Sequence, residues 1–247
     1  MTGDLAHGIS YLRRGAGLLT HPALRLFVIV PLVINIVIFS SLLVLGFNYV
    51  TDLIDWLLGK LPTWLAFLEW ILWPLIVLSA ALISGYLFTT VALLIASPFN
   101  GLLAEKAEEL ITGRPVDSIE GLGAALMMVP RGILRELAKL LYYLPRALVL
   151  LVVSVIPGVN AIAPVLWFLL SAHLMSITFL DYPMDNHRLK FADVVHASKQ
   201  RTLSSLGFGG VVALCAGIPI VNFFVVPAAV VGATAYWCEE LGPGYTR

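Results

Sequence analysis

Residues 97–109 read SPFNGLLAEKAEE, and at this stretch a long uncharged run gives way to a strongly charged segment. Pro98 and Gly101 are residue types that interrupt α-helices, and Asn100 is a favourable N-cap for a helix that follows. Glu105 would then lie near the beginning of that helix, where the helix dipole favours acidic groups. The stretch predicts a hinge at which one membrane helix ends and the chain turns into water.

The composition of the chain places it in the membrane. Of its 247 residues, 60% are hydrophobic and 12% are charged, whereas globular domains average about half and about a quarter. Fifteen basic and fifteen acidic residues cancel, which argues against a nucleic-acid partner. Two cysteines within apolar sequence indicate neither a disulfide framework nor a zinc site. We therefore predict an all-α integral membrane protein in contact with the lipid bilayer.

The alternation of apolar and polar stretches predicts one membrane domain, residues 1–247, built around two long transmembrane helices. Its expected segments are an interfacial N-terminal helix (1–22), a first transmembrane helix (23–47), a periplasmic loop (48–69), a second transmembrane helix (70–97), amphipathic cytoplasmic helices (98–146), a hairpin (147–180), a cytoplasmic loop (181–201) and a second hairpin (202–238). The two transmembrane helices exceed the roughly 20 residues needed to cross hydrocarbon.

Each hairpin is interrupted near its centre by the same short pattern, Ile-Pro-x-Val-Asn, at 156–160 and at 218–222. The match predicts an internal repeat, which is common among transporters. As a helix, the arm 147–156 would be about 15 Å long, half the hydrocarbon thickness. The hairpins are then either partly penetrating or pairs of short spans in a thinned bilayer. Partly penetrating hairpins must be shielded from lipid, which favours an oligomer or a pore.

The positions of the basic residues predict the orientation. Lys60 is the only basic residue between the two long apolar runs, whereas the other polar segments contain several lysines and arginines. Because basic loops stay on the cytoplasmic side, we expect both termini there. Each hairpin would enter and leave the membrane on that side.

A candidate anion site lies at the start of the first long run, in the sequence THPALR at 20–25. Thr20 or His21 can cap a helix that Pro22 begins. The free N–H groups of that first turn, the helix dipole and the Arg25 guanidinium together suit a small dianion. In the other interpretation, Arg25 only reaches towards phospholipid headgroups.

The surroundings of this site in sequence are free of acids. No Asp or Glu occurs between Asp4 and Asp52, so hydrogen-bond donors are present without carboxylate acceptors. Sulfate, which is fully ionised, needs only donors, whereas hydrogen phosphate carries a proton that favours an acceptor. The pattern therefore favours sulfate.

Other polar residues allow two interpretations each. Glu105, Glu108 and Glu109 share one helix face; they either pair with basic residues of the following amphipathic segment or act directly in transport. The candidate basic partners are Arg131, Arg135 and Lys139.

Histidines and aspartates further along the chain are equally open. Asp181, Asp185 and His187 form either a polar cap or a metal site. His173 is either a packing residue or a proton relay.

No phosphate-binding loop and no nucleophile–base pattern is present in the sequence. The chain contains none of the motifs GxxxxGK[ST], GxGxxG, HExxH or GxSxG. We therefore expect neither an enzyme nor a cofactor, and no ATPase activity in this chain.

Several long motifs resemble the CysZ family of bacterial sulfate permeases, in the family's order and over nearly the whole chain. They are SPFNGLLAEK at 97–106, YLPRA at 143–147, APVLWF at 163–168, DYPMDNH at 181–187 and GATA at 232–235. The resemblance implies sulfate entry across the bacterial inner membrane for cysteine biosynthesis. It also implies a homo-oligomer without an ATPase subunit.

The resemblance further implies a sulfate site at the start of the first membrane helix, formed by Pro22, Ala23, Leu24 and Arg25. The family often has two consecutive arginines there, and Leu26 stands at the second position. Backbone N–H groups of Ala23 and Leu24 would then carry more of the coordination.

The hinge of residues 97–109 becomes, in this interpretation, a structural latch or a gate. The residues assigned to it are Asn100, Gly101, Glu105, Glu109, Arg131 and Arg135. A membrane scaffold that organises partner proteins and transports nothing is the alternative function.

Overall fold

The computed structural model describes residues 3–59, 69–116 and 129–242, and all regular structure in these ranges is helical. Eight α-helices follow one another: α1 (Leu5–Leu18), α2 (Pro22–Leu58), α3 (Glu69–Thr112), α4 (Val129–Val155), α5 (Ala163–Asn186), α6 (Phe191–Gln200), α7 (Thr202–Ala216) and α8 (Pro219–Tyr236). A 3-10 turn, Asn160–Ile162, precedes α5, and a π-helix, Trp237–Leu241, follows α8. The all-α prediction is confirmed.

The chain divides into two compact units. One comprises Met1–Val28 and Pro98–Arg247, and the other comprises Ile29–Ser97. The second unit is built from α2 and α3, which expose large apolar side chains such as Ile36, Val44 and Trp70. Such outward apolar surface is characteristic of helices solvated by lipid. Helix α2 continues to Leu58, beyond the expected end at residue 47, and residues 60–68 of the expected loop lie outside the described residues.

The expected hinge at residues 97–101 is wrong, because α3 runs unbroken from Glu69 to Thr112. A proline within a helix removes one hydrogen bond, and tertiary packing can offset that loss. Here Leu103, Ala104 and Ala107 are all buried in the core. The helix ends instead at Gly113, whose φ of +68° is the left-handed conformation that terminates many helices. The second expected break, at 121–123, lies outside the described residues.

The first hairpin has longer arms than predicted. Helix α4 begins at Val129 and passes through Pro145 without a break, so the expected division at residue 146 falls inside it. Its 27 residues correspond to about 40 Å rather than about 15 Å. Among the residues that the structure describes, Gly132–Val155 and Asn160–Asn186 are long and apolar enough to cross a membrane. Length therefore permits full spans here, and the depth of the hairpins stays a prediction.

Both predicted breaks occur, and the repeat is visible in the backbone. In the first, the Asn160 N–H donates to the Ile156 carbonyl at 3.0 Å; in the second, the Asn222 N–H donates to the Ile218 carbonyl at 2.9 Å. Gly158 allows the first turn to adopt a φ of +83°. The same pentapeptide thus forms the same hydrogen bond at both hairpin tips.

The core of the larger unit is formed by α1, α5, α7 and α8. Glycines allow very close approach: a Cβ added at Gly8 would overlap the Ser204 carbonyl, and one at Gly15 would overlap the Ala228 carbonyl. Tyr11 is buried on the same face of α1. The N-terminal helix is therefore packed against α7 and α8 on one face.

Candidate functional site

The first turn of α2 is capped by His21. Its Nδ1 accepts a hydrogen bond from the Ala23 N–H at 3.3 Å, and its carbonyl accepts the Leu24 N–H at 3.0 Å. Pro22 is the first helical residue, where its missing N–H is not needed. The predicted cap is confirmed, with His21 rather than Thr20 in that role. The two N–H groups assigned to anion coordination are therefore bonded to His21, and an anion reaching them would replace those bonds.

Arg25 lies one turn further on and is exposed to solvent. Its Nε donates to the Thr20 carbonyl at 2.8 Å, which uses one of the five donors of the guanidinium. Among the residues that the structure describes, no acidic group forms an ion pair with Arg25. The adjacent Leu24 is fully buried and anchors this turn in the core. Arg25 thus presents an unneutralised cation on a fixed backbone.

The anchoring of this turn extends through α1 to the C-terminal end of the chain. His7 Nε2 lies 2.9 Å from Glu240, and the Tyr11 hydroxyl donates to the same carboxylate at 3.0 Å. Arg14 pairs with Glu239, and Arg201 at the start of α7 lies 3.0 Å from Glu240. The sequence analysis missed this cluster, because its members are about 190 residues or more apart in pairs and no local pattern connects them.

The segment 181–187 connects α5 to two other helices by alternate faces. Asp181 and Asp185 are four residues apart and so share one face, and both bind Arg135 of α4. On a different face, the Tyr182 hydroxyl accepts from Asn100 at 3.3 Å, and Asn186 donates to the Gly101 carbonyl at 3.1 Å. The polar-cap interpretation of this segment therefore becomes a junction between α3, α4 and α5.

A buried ion cluster lies on the α4 side of the junction. Arg135 Nε donates to Asp181 at 3.0 Å and its Nη1 lies 2.8 Å from Asp185. Lys139 Nζ lies 2.9 Å from the second oxygen of Asp181. Asp181 is only 4% exposed, so these charges compensate one another away from solvent.

The predicted pairing of the α3 glutamates with α4 is wrong for Arg135 and Lys139, whose nearest carboxylates are those of α5 and of Glu136. Glu105 and Glu109 instead lie 3.6 and 2.8 Å from Lys106 on their own helix. The side chain of Arg131 lies outside the described residues. Charge pattern alone could not show that α5 supplies the acids facing α4.

The remaining polar candidates have structural partners. His173 Nε2 is 3.0 Å from the Tyr142 hydroxyl, which confirms the packing interpretation. Within the described ranges, no group of three or more potential metal ligands occurs.

Comparison with known proteins gives matches over most of the chain. A family model described as "Sulfate transporter CysZ/Etoposide-induced protein 2.4" matches residues 11–227. A protein of Pseudomonas fluorescens named Sulfate transporter CysZ is 43% identical over 242 residues, covering 98% of this chain and 97% of its own. Its namesakes in Pseudomonas aeruginosa and Salmonella enteritidis are 43% and 44% identical, covering 95% and 94% of this chain and 96% and 92% of their own.

Proposed function

Because the chain belongs to the sulfate transporter CysZ/etoposide-induced protein 2.4 family, as the resemblance predicted, we propose that it carries sulfate across the membrane. The observation that carries this proposal is the identity of 43% over 98% of the chain to a protein named as a sulfate transporter. The sulfate would enter through the bacterial inner membrane and supply sulfate assimilation and cysteine biosynthesis. Transport would be channel-like or driven by a gradient, in a homo-oligomer without an ATPase subunit.

Arg25 is the proposed capture residue, together with the first turn formed by Pro22, Ala23 and Leu24. Support comes from its exposure, the lack of an acidic partner among the described residues and its place at a helix N-terminus. The bond from Nε to the Thr20 carbonyl holds the guanidinium against the turn. A fork of charge-assisted donors at the positive end of a helix dipole stabilises a dianion.

The proposed orientation has both termini in the cytoplasm, as the distribution of basic residues favours. The residues assigned to the latch or gate then lie on the cytoplasmic side. Asn100, Gly101 and Arg135 hold α5 against α3 and α4. Glu105 and Glu109 share the Lys106 cation, which reduces their repulsion of an anion.

Sulfate flux into liposomes that contain only the purified chain tests the proposed function. We expect radiolabelled sulfate to enter faster than into protein-free vesicles and to be recovered chemically unchanged. A non-transporting scaffold would give the background rate. A flux equal to that of empty vesicles would therefore contradict the transporter and support the scaffold.

We predict that Arg25→Ala weakens sulfate binding about 10- to 150-fold, because hydrogen bonds to charged groups contribute about 1.5–3 kcal/mol. Isothermal titration calorimetry of the purified protein measures the change. Arg13→Ala is a matched control, since Arg13 is another exposed arginine near the N-terminus, and it should leave the affinity unchanged. Equal losses in both variants would indicate a general charge effect, and no loss in Arg25→Ala would remove Arg25 from the site.

A further inference from the structure

Glu108 of α3 and His187, the residue after α5, form a contact that the proposed sulfate site does not use. His187 Nε2 lies 2.8 Å from Glu108 Oε1. The Glu108 side chain is buried, and its second oxygen, Oε2, has no hydrogen-bond partner among the described atoms. The carboxylate therefore depends on a single neighbour for compensation of its charge.

The other groups around this pair can be named element by element. From the π-helix after α8, the Trp237 ring packs against the imidazole with centroids 5.7 Å apart, and Cys238 lies near enough for the Glu108 charge to affect its thiol. On the α5 side, the charge of Asp185 is taken up by Arg135. On α3, Glu109 is held by Lys106.

The ionic state of His187 decides whether the buried carboxylate is compensated. The hydrogen bond from Glu108 and its negative charge raise the pKa of His187 above the ordinary value, although burial acts in the opposite direction. A histidine whose pKa is raised by folding stabilises the fold fully below its unfolded pKa of about 6.5. That stabilisation is lost as the pH rises through the raised value. Above it, the buried Glu108 anion faces a neutral ring.

We propose that His187 and Glu108 form a proton-sensitive latch between the end of α3 and the end of α5. In the protonated state a charge-assisted hydrogen bond joins the two helices beside Trp237. Loss of the proton weakens that bond and leaves a buried carboxylate with reduced compensation, which favours separation of the two ends. The neighbouring contacts from Asn100 and Asn186 involve no titrating partner and hold at either pH. The latch is independent of Arg25 and of the proposed sulfate site.

Hydrogen exchange of the full-length protein in detergent, followed by mass spectrometry, tests the latch. Protection factors of the peptides covering 103–112 and 184–189 are compared at about pH 6 and about pH 8.5, after correction for intrinsic exchange. We expect protection to fall with rising pH, by about tenfold for each unit by which folding raises the pKa of His187. Equal corrected protection at both values would overturn the proposal.

Two variants separate the latch from a general effect of pH. Glu108→Gln removes the buried charge and retains a hydrogen-bond partner for the neutral ring, so protection should be the same at both pH values. His187→Gln should likewise lose the pH dependence, and it serves as the second variant if Glu108→Gln folds poorly. His196→Gln, on exposed positions of α6, is the matched control and should behave as the wild type. Retention of the pH dependence in both Glu108→Gln and His187→Gln would exclude the latch.

Discussion

Replacement of Asp181 by alanine is expected to lower the free energy of unfolding by about 3–5 kcal/mol, the range for removing one partner of a buried ion pair. Asp181 accepts charge-assisted bonds from Arg135 and Lys139, and all three side chains are largely buried. Without the shared carboxylate, two cations stay in a poorly solvated site. Lys139 then retains Glu136, and Arg135 retains Asp185 and the Leu189 carbonyl. Denaturant titration of the detergent-solubilised protein, followed by tryptophan fluorescence, measures the loss.

Glu136→Ala is the matched control, because Glu136 contacts the same Lys139 at 2.7 Å with a side chain that is 61% exposed. An exposed ion pair contributes about 0–1 kcal/mol, since water already solvates it well. The ratio of the two effects therefore reports burial at constant chemistry. Similar losses in Asp181→Ala and Glu136→Ala would show that the cluster is solvated and that the α4–α5 junction is not as described.

Gly209→Ala is expected to destabilise the protein by about 1–3 kcal/mol, the typical effect of overpacking. A Cβ at this position of α7 would overlap the Ala172 carbonyl oxygen of α5 and would lie 2.8 Å from the Ser176 nitrogen. Both neighbours are backbone atoms of a helix, which cannot move aside as a flexible side chain can. The two helices would have to separate and lose contacts along their shared face. A lower melting temperature in a thermal-unfolding assay is the readout.

The next residue supplies the control for this substitution. A Cβ at Gly210 would meet only the Phe168 ring at 3.5 Å and the Ala172 Cβ at 3.8 Å, which is ordinary contact. Alanine also reduces the conformational entropy of the unfolded chain at a helical position. Gly210→Ala should therefore leave the melting temperature unchanged or raise it slightly. A larger loss at Gly210 than at Gly209 would contradict the packing of α7 on α5.

Helix α5 is the element that connects the charged segments of this protein. Its C-terminal residues bind α4 through Asp181 and α3 through Asn186, and His187 adds the contact with Glu108. The motif DYPMDNH thereby has a physical reason for its composition: acids at one helical interval meet the cations of α4, and neutral polar groups at another meet the backbone and side chains of α3. Changes in this segment are expected to affect three helices at once.

Local signals in the sequence predicted the helix ends that depend on a few residues. Pro22 at the start of α2, Gly113 at the end of α3 and the Pro-containing break at 156–160 all lie where expected. Caps and prolines act through the hydrogen bonds of one turn, so their effect is readable from neighbouring residues. The exception is Pro98, where burial of the following turn keeps α3 continuous.

The sequence by itself determined that the chain is helical and lies in the membrane, and it located the arginine at the start of α2, because hydrophobicity, charge and helix caps are local properties. Only the tertiary structure decided which charges meet. It showed that α3, whose residues 97–109 had predicted a hinge, is one continuous helix, that Asp181 faces Arg135, and that Glu108 faces His187. Ion pairs between helices depend on which faces pack together, and that choice follows from long-range contacts that no local pattern records.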